Sequence, residues 1–354
     1  MSSRRIRALA LAAAALVATT ALAACDKDDS KASAGGDAST IKLGYFPNIT
    51  HAPALVGVNK GFYQAALGST KLETKTFNAG GDALTALLSG AVDATYIGPN
   101  PAINGWAQTH GTGLKIIAGS TSGGAGLVVR PGITDAQGLK GKKVATPQLG
   151  NTQDVALRAW LKSQGLTTNT EGGGDVSITP QANSAILQGF AQGGLAGAWV
   201  PEPYLSQLVL QSKGKLLVDE KTLWPQGQFV TTQLVVTQSF LKKYPDTVKK
   251  LLQGQLKSID YITSNKADAQ AAANAQLASL SGKPLKDNVL QAAFGDLSFT
   301  NDTIASSLYT GAQHAEDVGL LKSVDLKGIY DLGPLNGLLA ADGKPAISDA
   351  APAS

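Results

Sequence analysis

A single cysteine stands in this chain of 354 residues, so no internal disulfide can form and no cysteine-built zinc site is available. Three histidines, His51, His110 and His314, are too scattered for metal-ligand spacing. Arginine is scarce: Arg4, Arg5 and Arg7 crowd the N-terminus, and Arg130 and Arg158 complete the set. Charged residues make up only 16% of the chain, and the net charge of +4 falls to about +1 once the three N-terminal arginines are discounted. That balance leaves no electrostatic footprint for nucleic acid or another polyanion. The apolar run from Ala8 to Ala24 is too short and too rich in alanine for a membrane span. What is present is a globular composition, 43% hydrophobic with 40 glycines, and a length that suits about two domains.

The N-terminus reads as an export signal: a basic stretch at Arg4 to Arg7, then the apolar run, which ends Leu22-Ala23-Ala24-Cys25. That ending resembles the lipobox of bacterial lipoproteins, in which the cysteine is acylated and becomes the new N-terminus. Residues 1–24 are therefore expected to be a lipoprotein signal peptide and Cys25 the lipidation site. Residues 26–40 are Asp, Lys, Ser, Ala, Gly and a final Thr with no large apolar side chain, and 25–40 are expected to be a flexible tether.

From residue 41 onward, short β-branched runs alternate with amphipathic stretches, the pattern of an α/β fold with largely parallel sheets. One strand-turn-helix unit recurs at an offset of 103. It aligns Asn48 with Asn151, Asn78-Ala79-Gly80 with Gln181-Ala182-Asn183, Leu84 with Leu187, Gly90 with Gly193 and Tyr96-Ile97 with Trp199-Val200. Two copies of one lobe predict two facing α/β domains with a cleft between. The similar runs Leu127-Val128-Val129 and Leu234-Val235-Val236 are read as leading out of the first and second lobes. Lobe 1 then covers 41–128, lobe 2 covers 129–233, and 234–354 returns to lobe 1 as mostly helical segments. Helices are expected over Ser239 to Gln255, Asn265 to Leu280 and Asn301 to Val318, the last capped by Asn301 or Asp302.

The motifs Gly44-Tyr45-Phe46-Pro47-Asn48-Ile49-Thr50-His51-Ala52-Pro53-Ala54, Leu88-Ser89-Gly90-Ala91-Val92-Asp93-Ala94, Gly98-Pro99-Asn100-Pro101 and Trp199-Val200-Pro201-Glu202-Pro203 resemble one family. With the lipobox, the repeat and the two crossings, they are similar to lipid-anchored substrate-binding proteins of ABC importers, in the branch for aliphatic sulfonates, taurine and nitrate. The resemblance covers residue 40 to the C-terminus. It implies a two-lobed type II periplasmic-binding-protein fold with two hinge crossings, and a monomer anchored by lipid on the outer face of the cytoplasmic membrane. It also implies an ABC permease and its ATPase as partners, and a small anionic solute captured by cleft closure. Members of that family can use arginine against an anionic head group, and here only Arg130 and Arg158 remain for it.

Ligands of open α/β sheets bind beyond the carboxyl ends of the strands, where the next helices begin. Helix N-termini aimed into one cleft form an anion site without arginine. The candidate turns supply Asn48, Thr50, His51, Gly80, Gly81, Asn100 and Ser122 from lobe 1, and Gln148, Asn151, Thr152, Asn183, Trp199 and Glu202 from lobe 2. Each also has a plain structural reading. The asparagines can bond their own backbone and the threonines can act as caps. His51 can be packed locally, Trp199 can belong to a strand core, and Glu202, repulsive to an anion, can cap a helix, meet an ammonium-bearing ligand such as taurine, or touch the permease. Arg158, inside a helix, reads as a surface or inter-helix residue and Arg130 as structural. The aromatic residues Tyr45, Phe46, Trp199, Tyr204 and Phe229 near these turns favour an aliphatic sulfonate over nitrate or bicarbonate, with affinity rising with tail length until the cleft is full.

No catalytic constellation stands out, and no cofactor or metal is expected. The main alternatives are nitrate, bicarbonate or taurine binding on the same fold, a sensor without transport, or an enzyme resembling thiamine-pyrimidine synthases. Those enzymes depend on a cysteine-rich motif, which a chain with only Cys25 lacks.

Overall fold

The protein is described by a computed structural model covering residues 36–351; the expected signal peptide, Cys25 and most of the expected tether lie outside the described residues. Packed structure begins before Thr40, the last residue of the expected tether. Ala38 is already buried, with its N–H on Thr247 Oγ1 at 2.8 Å and its carbonyl accepting from Thr70 Oγ1 at 2.6 Å.

The first part of the chain runs β1 (Thr40–Tyr45), a 3₁₀ turn (Ile49–His51), α1 (Ala52–Asn59), α2 (Phe62–Leu67), β2 (Lys71–Thr76), α3 (Gly80–Leu88), β3 (Ala94–Ile97), α4 (Pro99–Gln108) and β4 (Leu114–Gly123). It crosses into β5 (Ala125–Val129), β6 (Lys143–Thr146), α5 (Thr152–Ser163), β7 (Ser177–Pro180), α6 (Asn183–Ala191), β8 (Gly197–Pro201), α7 (Tyr204–Gln211) and β9 (Lys215–Asp219). After two 3₁₀ turns within 220–227 it returns through β10 (Val230–Thr237), α8 (Gln238–Lys243), α9 (Pro245–Ser264), α10 (Lys266–Ser281), α11 (Asp287–Gly295), β11 (Leu297–Phe299), α12 (Ala305–Asp317) and α13 (Gly333–Ala341).

Two sheets result, ordered β11-β4-β10-β3-β1-β2 and β7-β6-β8-β5-β9. The sequence repeat is also a repeat of topology. Strands β1 and β6 each sit between two parallel neighbours, and β10 and β5 each pair antiparallel on both sides. Helices α3 and α6 stand 103 residues apart and bury matching faces, Leu84 and Leu87 in one, Ile186 and Phe190 in the other. Both stop at a left-handed glycine, Gly90 (φ 73°) and Gly193 (φ 90°), a conformation that costs a Cβ-bearing residue free energy.

Each sheet is covered on both faces. In lobe 1, Leu43, Tyr45, Leu55 and Leu251 fill one side, and Leu84, Leu87, Ile103 and Val235 the other. Lobe 2 packs Leu127, Leu157, Leu161 and Trp199 on one side and Ile186, Phe190, Val200 and Leu208 on the other.

The crossings fall a few residues from the expected boundaries at 128/129 and 233/234. Leu127–Val129 belongs to β5, already in the second sheet, and Leu234–Val236 to β10, already back in the first. Each such run marks arrival in the new lobe, because it is the apolar centre of an antiparallel strand inserted between two others. The helical return also differs in detail. The helix expected from Ser239 breaks at Tyr244-Pro245, where proline cannot continue the backbone hydrogen-bond ladder. The helix expected from Asn301 begins at Ala305: Asp302 Oδ1 bonds Ile304 N–H, and Asn301 Oδ1 accepts from Gln255 Nε2.

Candidate functional site

A cavity lies between the carboxyl ends of the parallel strands of the two sheets. Lobe 1 supplies Phe46, Asn48, Thr50 and His51 after β1, Asn78 to Gly80 entering α3, Gly98 and Pro101 at α4, and Thr231 and Thr232 from β10. Lobe 2 supplies Pro147, then Asn151, Thr152 and Gln153 at the start of α5, Asn183 at the start of α6 and Pro201 at the end of β8. The cavity volume is about 40 Å³. The lobes touch around it: Gly81 N–H donates to Gln148 Oε1 at 3.0 Å, and Asn104 Nδ2 to the Gly150 carbonyl at 3.5 Å. This is a closed arrangement with room for a compact ligand.

The chemistry of the walls is uniform. Five segments enter helical structure here, and none of the residues preceding them, Asn48, Ala79, Gly98, Asn151 and Ala182, caps the following N–H groups with its side chain. A helix start carries N–H groups without intrahelical partners and a partial positive charge of about half an electron; here the Gly81 N–H is taken by Gln148, and α4 opens Pro99-Asn100-Pro101, where only Asn100 has an N–H. Among the described residues, no Asp, Glu, Lys or Arg lines the cavity. His51 is its one titratable imidazole, and burial pushes the pKa down to about 3, so the ring is neutral. The Phe46 N–H donates to Nδ1 at 3.3 Å, which leaves the proton on Nε2. Stacking on Phe46 at 4.3 Å between centroids fixes the ring plane. Thr50 Oγ1 donates to Asn48 Oδ1 at 2.5 Å, fixing that amide with its Nδ2 as the remaining donor.

The α5 turn is held from behind. Asp154 accepts from Thr146 Oγ1 and the Gly150 N–H, each at 2.9 Å, and from Arg158 Nε at 3.1 Å. Arg158 is buried inside lobe 2, also donating to the Asn169 carbonyl at 2.6 Å, so it is not a surface residue. Arg130 is structural, lying over the Phe190 ring with Nε on the Leu195 carbonyl at 2.7 Å. Neither arginine lines the cavity.

Of the residues singled out in the sequence, Asn48, Thr50, His51, Gly80, Asn151, Thr152 and Asn183 come together at the cavity. Gly81 and Gln148 join each other across the lobes. The other four lie elsewhere. Asn100 Nδ2 donates to the Gly311 carbonyl at 3.3 Å, and Ser122 Oγ accepts from Phe229 N–H at 3.3 Å. Trp199 is wholly buried in the lobe 2 core with Nε1 on Glu220 at 2.7 Å. Glu202 turns inward, accepting from Ser206 Oγ at 2.8 Å and Ser206 N–H at 3.2 Å. The aromatic wall is likewise corrected: Tyr45 and Trp199 belong to cores, Tyr204 packs against one, Phe229 stacks on Trp224, and Phe46 alone lines the cavity. Thr231 and Thr232 escaped the sequence reading because they sit in a strand rather than a turn. Their signal was two consecutive threonines opening an otherwise apolar strand.

Known proteins resemble this chain in sequence and in fold. The chain is 27% identical over 237 residues to the taurine-binding periplasmic protein of Escherichia coli (strain K12), spanning 66% of this chain and 71% of that one. It is 25% identical over 302 residues to a putative aliphatic sulfonates-binding protein of Bacillus subtilis (strain 168), spanning 82% and 85%. The crystal structure of the periplasmic nitrate-binding protein NrtA from Synechocystis PCC 6803 superposes with a TM-score of 0.75 at 17% identity, covering 88% of this chain and 92% of that one. The fold is therefore that of the type II periplasmic binding proteins. The NMT1-like family model matches residues 34–278, more than half of the sequence, and the chain belongs to that family.

Proposed function

We propose that this protein is the solute-binding component of an ABC importer, exported, lipid-anchored through Cys25, and closing its two lobes on a compact organic anion, an aliphatic sulfonate with a short tail. The observation that carries the reading is the convergence of uncapped helix starts from both lobes on one cavity without an ionised side chain. A sulfonate stays ionised at physiological pH and needs donors alone, which backbone N–H groups, Asn amides, Thr hydroxyls and His51 Nε2–H supply. The taurine and sulfonate relatives support the anion class. The small cavity and single aromatic ring argue for a short tail, in place of the long one that the aromatic residues suggested from sequence. With no carboxylate in the walls, an ammonium group on the ligand would have to use carbonyl and amide oxygens.

Calorimetry tests this with ethanesulfonate, hexanesulfonate, taurine, nitrate and bicarbonate. Ethanesulfonate is expected to bind more tightly than hexanesulfonate and than either inorganic ion, with Asn151→Ala and Thr152→Ala weakening every anion. Tighter binding of nitrate or bicarbonate than of all sulfonates rejects the sulfonate choice, and no binding of any anion rejects the reading itself. The anchor is tested by Cys25→Ser, which should release the protein from the membrane fraction without altering anion affinity.

A further inference from the structure

A second cavity, of about 510 Å³, lies outside the anion site, where α5 of lobe 2, the 220–227 segment and α12 of lobe 1 meet. Its volume suits a small organic molecule. Trp160 and Trp224 line it, with Leu223 and the small side chains of Ala156 and Ala159, and Glu220 is the polar group set deepest in its wall, 2% exposed.

The charges around it are unevenly matched. Lys162 and Asp317 also line it: Lys162 Nζ, which keeps its charge, donates to the Asp317 main-chain carbonyl at 2.6 Å and not to Glu220, and the Asp317 carboxylate accepts from Gln313 at 3.0 Å. Burial lowers the His314 pKa from its ordinary value and so disfavours the charged ring, with neighbouring Asp317 opposing. Glu220 accepts only from two indole N–H groups, Trp199 at 2.7 Å and Trp224 at 3.4 Å, and has no ion-pair partner among the described residues. A buried carboxyl without a cation, in a cavity walled by tryptophan, is the donor set for a positively charged group that also carries apolar surface.

We propose that this cavity is a second ligand site, taking a small organic cation, a primary or quaternary ammonium on a compact apolar body, with its charge against Glu220 and its alkyl groups against Trp160 and Trp224. Burial pushes the Glu220 carboxyl up to about 7, and a bound cation would supply the missing counter-charge. The site is separate from the anion cavity, with which it shares no lining residue.

The four tryptophans allow a direct test by the indole N–H resonances of ¹⁵N-labelled protein. Trp106, whose Nε1 is bonded to the Asp325 carbonyl on lobe 1, serves as the internal control. Choline chloride should shift the Trp160 and Trp224 signals saturably and leave Trp106 in place. Its uncharged isostere 3,3-dimethyl-1-butanol should bind weaker by about tenfold or more, the worth of a desolvated cation contact. Glu220→Gln should lose a similar factor for choline only, and Ala159→Leu, which fills the cavity without touching the carboxyl, should abolish binding of both. Equal affinity for choline and the alcohol, an unsaturable shift, or a Trp106 shift matching the others overturns the proposal. Ethanesulfonate titrated into the same samples reports the anion site independently.

Discussion

Gly98 shows how finely the closed cleft is fitted. Its backbone is ordinary (φ −70°, ψ 161°), so alanine costs nothing in conformation. A Cβ there would meet Thr152 Oγ1 of the opposite lobe at 2.7 Å, while its own lobe offers only ordinary contacts, the Thr231 carbonyl oxygen at 3.6 Å and Pro101 Cδ at 3.8 Å. Gly98→Ala should therefore leave the melting temperature of the ligand-free protein unchanged and weaken anion binding by about tenfold or more, the scale of an overpacked contact. Unchanged affinity in calorimetry would mean that the lobes do not close to this distance on ligand. His51 supports a second expectation. Its folded pKa of about 3 keeps it a neutral donor, so anion affinity should be flat between about pH 5 and about pH 8. Affinity climbing as the pH drops through that window would show an imidazolium at the site. Residues such as Asn151 and Thr152 were legible in sequence because they sit in polar turns before apolar helices. Trp199 and Glu202, counted among the candidates by adjacency to a turn, take instead the structural roles that the sequence also allowed, a strand core and a helix cap, because adjacency to a turn does not say which way a side chain points.

At the scale of elements, the repeat was legible because strand, turn, helix and glycine stop each carry their own local signal, and the signals recur in register. The crossings were not, because a run of Leu and Val looks alike whether it ends one lobe or begins the next. The first is marked instead by Gly123 (φ 82°), the last residue of β4, and Gly124 (φ 66°), consecutive left-handed residues where β4 passes into β5. A Cβ would lie 2.8 Å from the Asp296 carbonyl oxygen at Gly123, and 2.2 Å from Leu297 Cδ2 at Gly124. Alanine at either position should destabilise the fold by about 1–3 kcal/mol in urea titrations, through left-handed strain as well as contact. A loss below the error of the titration at both positions would show a backbone free to relax there. The support behind the α5 turn, Asp154 with Arg158, has a sequence signal as well, an acid and a base four residues apart on one helix. What the spacing could not say is that both are buried and brace Gly150 rather than face water.

The whole molecule carries buried titratable groups that pull its stability in opposite directions with pH. Burial pushes the Glu202 carboxyl up to about 8, with nearby Asp296 adding to the shift and the Ser206 hydrogen bonds opposing it; burial likewise lifts Glu220 to about 7. For both, the folded state holds a proton that the unfolded chain gives up near 4.5. Their contribution is therefore fully present below that value and is lost as the pH rises through about 7 to 8. His51 acts on the other side: the unfolded imidazole takes a proton near 6.5 and the folded one near 3, so stability falls as the pH drops through that interval. The melting temperature should thus peak in mildly acidic solution and decline toward about pH 9. Glu202→Gln keeps an acceptor for Ser206 but cannot ionise, so it should melt above the wild type at about pH 9 and no higher than it at about pH 5. The alkaline decline reflects chiefly the cost of ionising a buried carboxyl, to which the neighbouring Asp296, beside β11 of lobe 1, adds. Scanning calorimetry of the two proteins across that range decides it. A glutamine variant that loses equal stability at both ends would mean that Glu202 is charged in the folded state throughout, with the Ser206 donors sufficient to hold it.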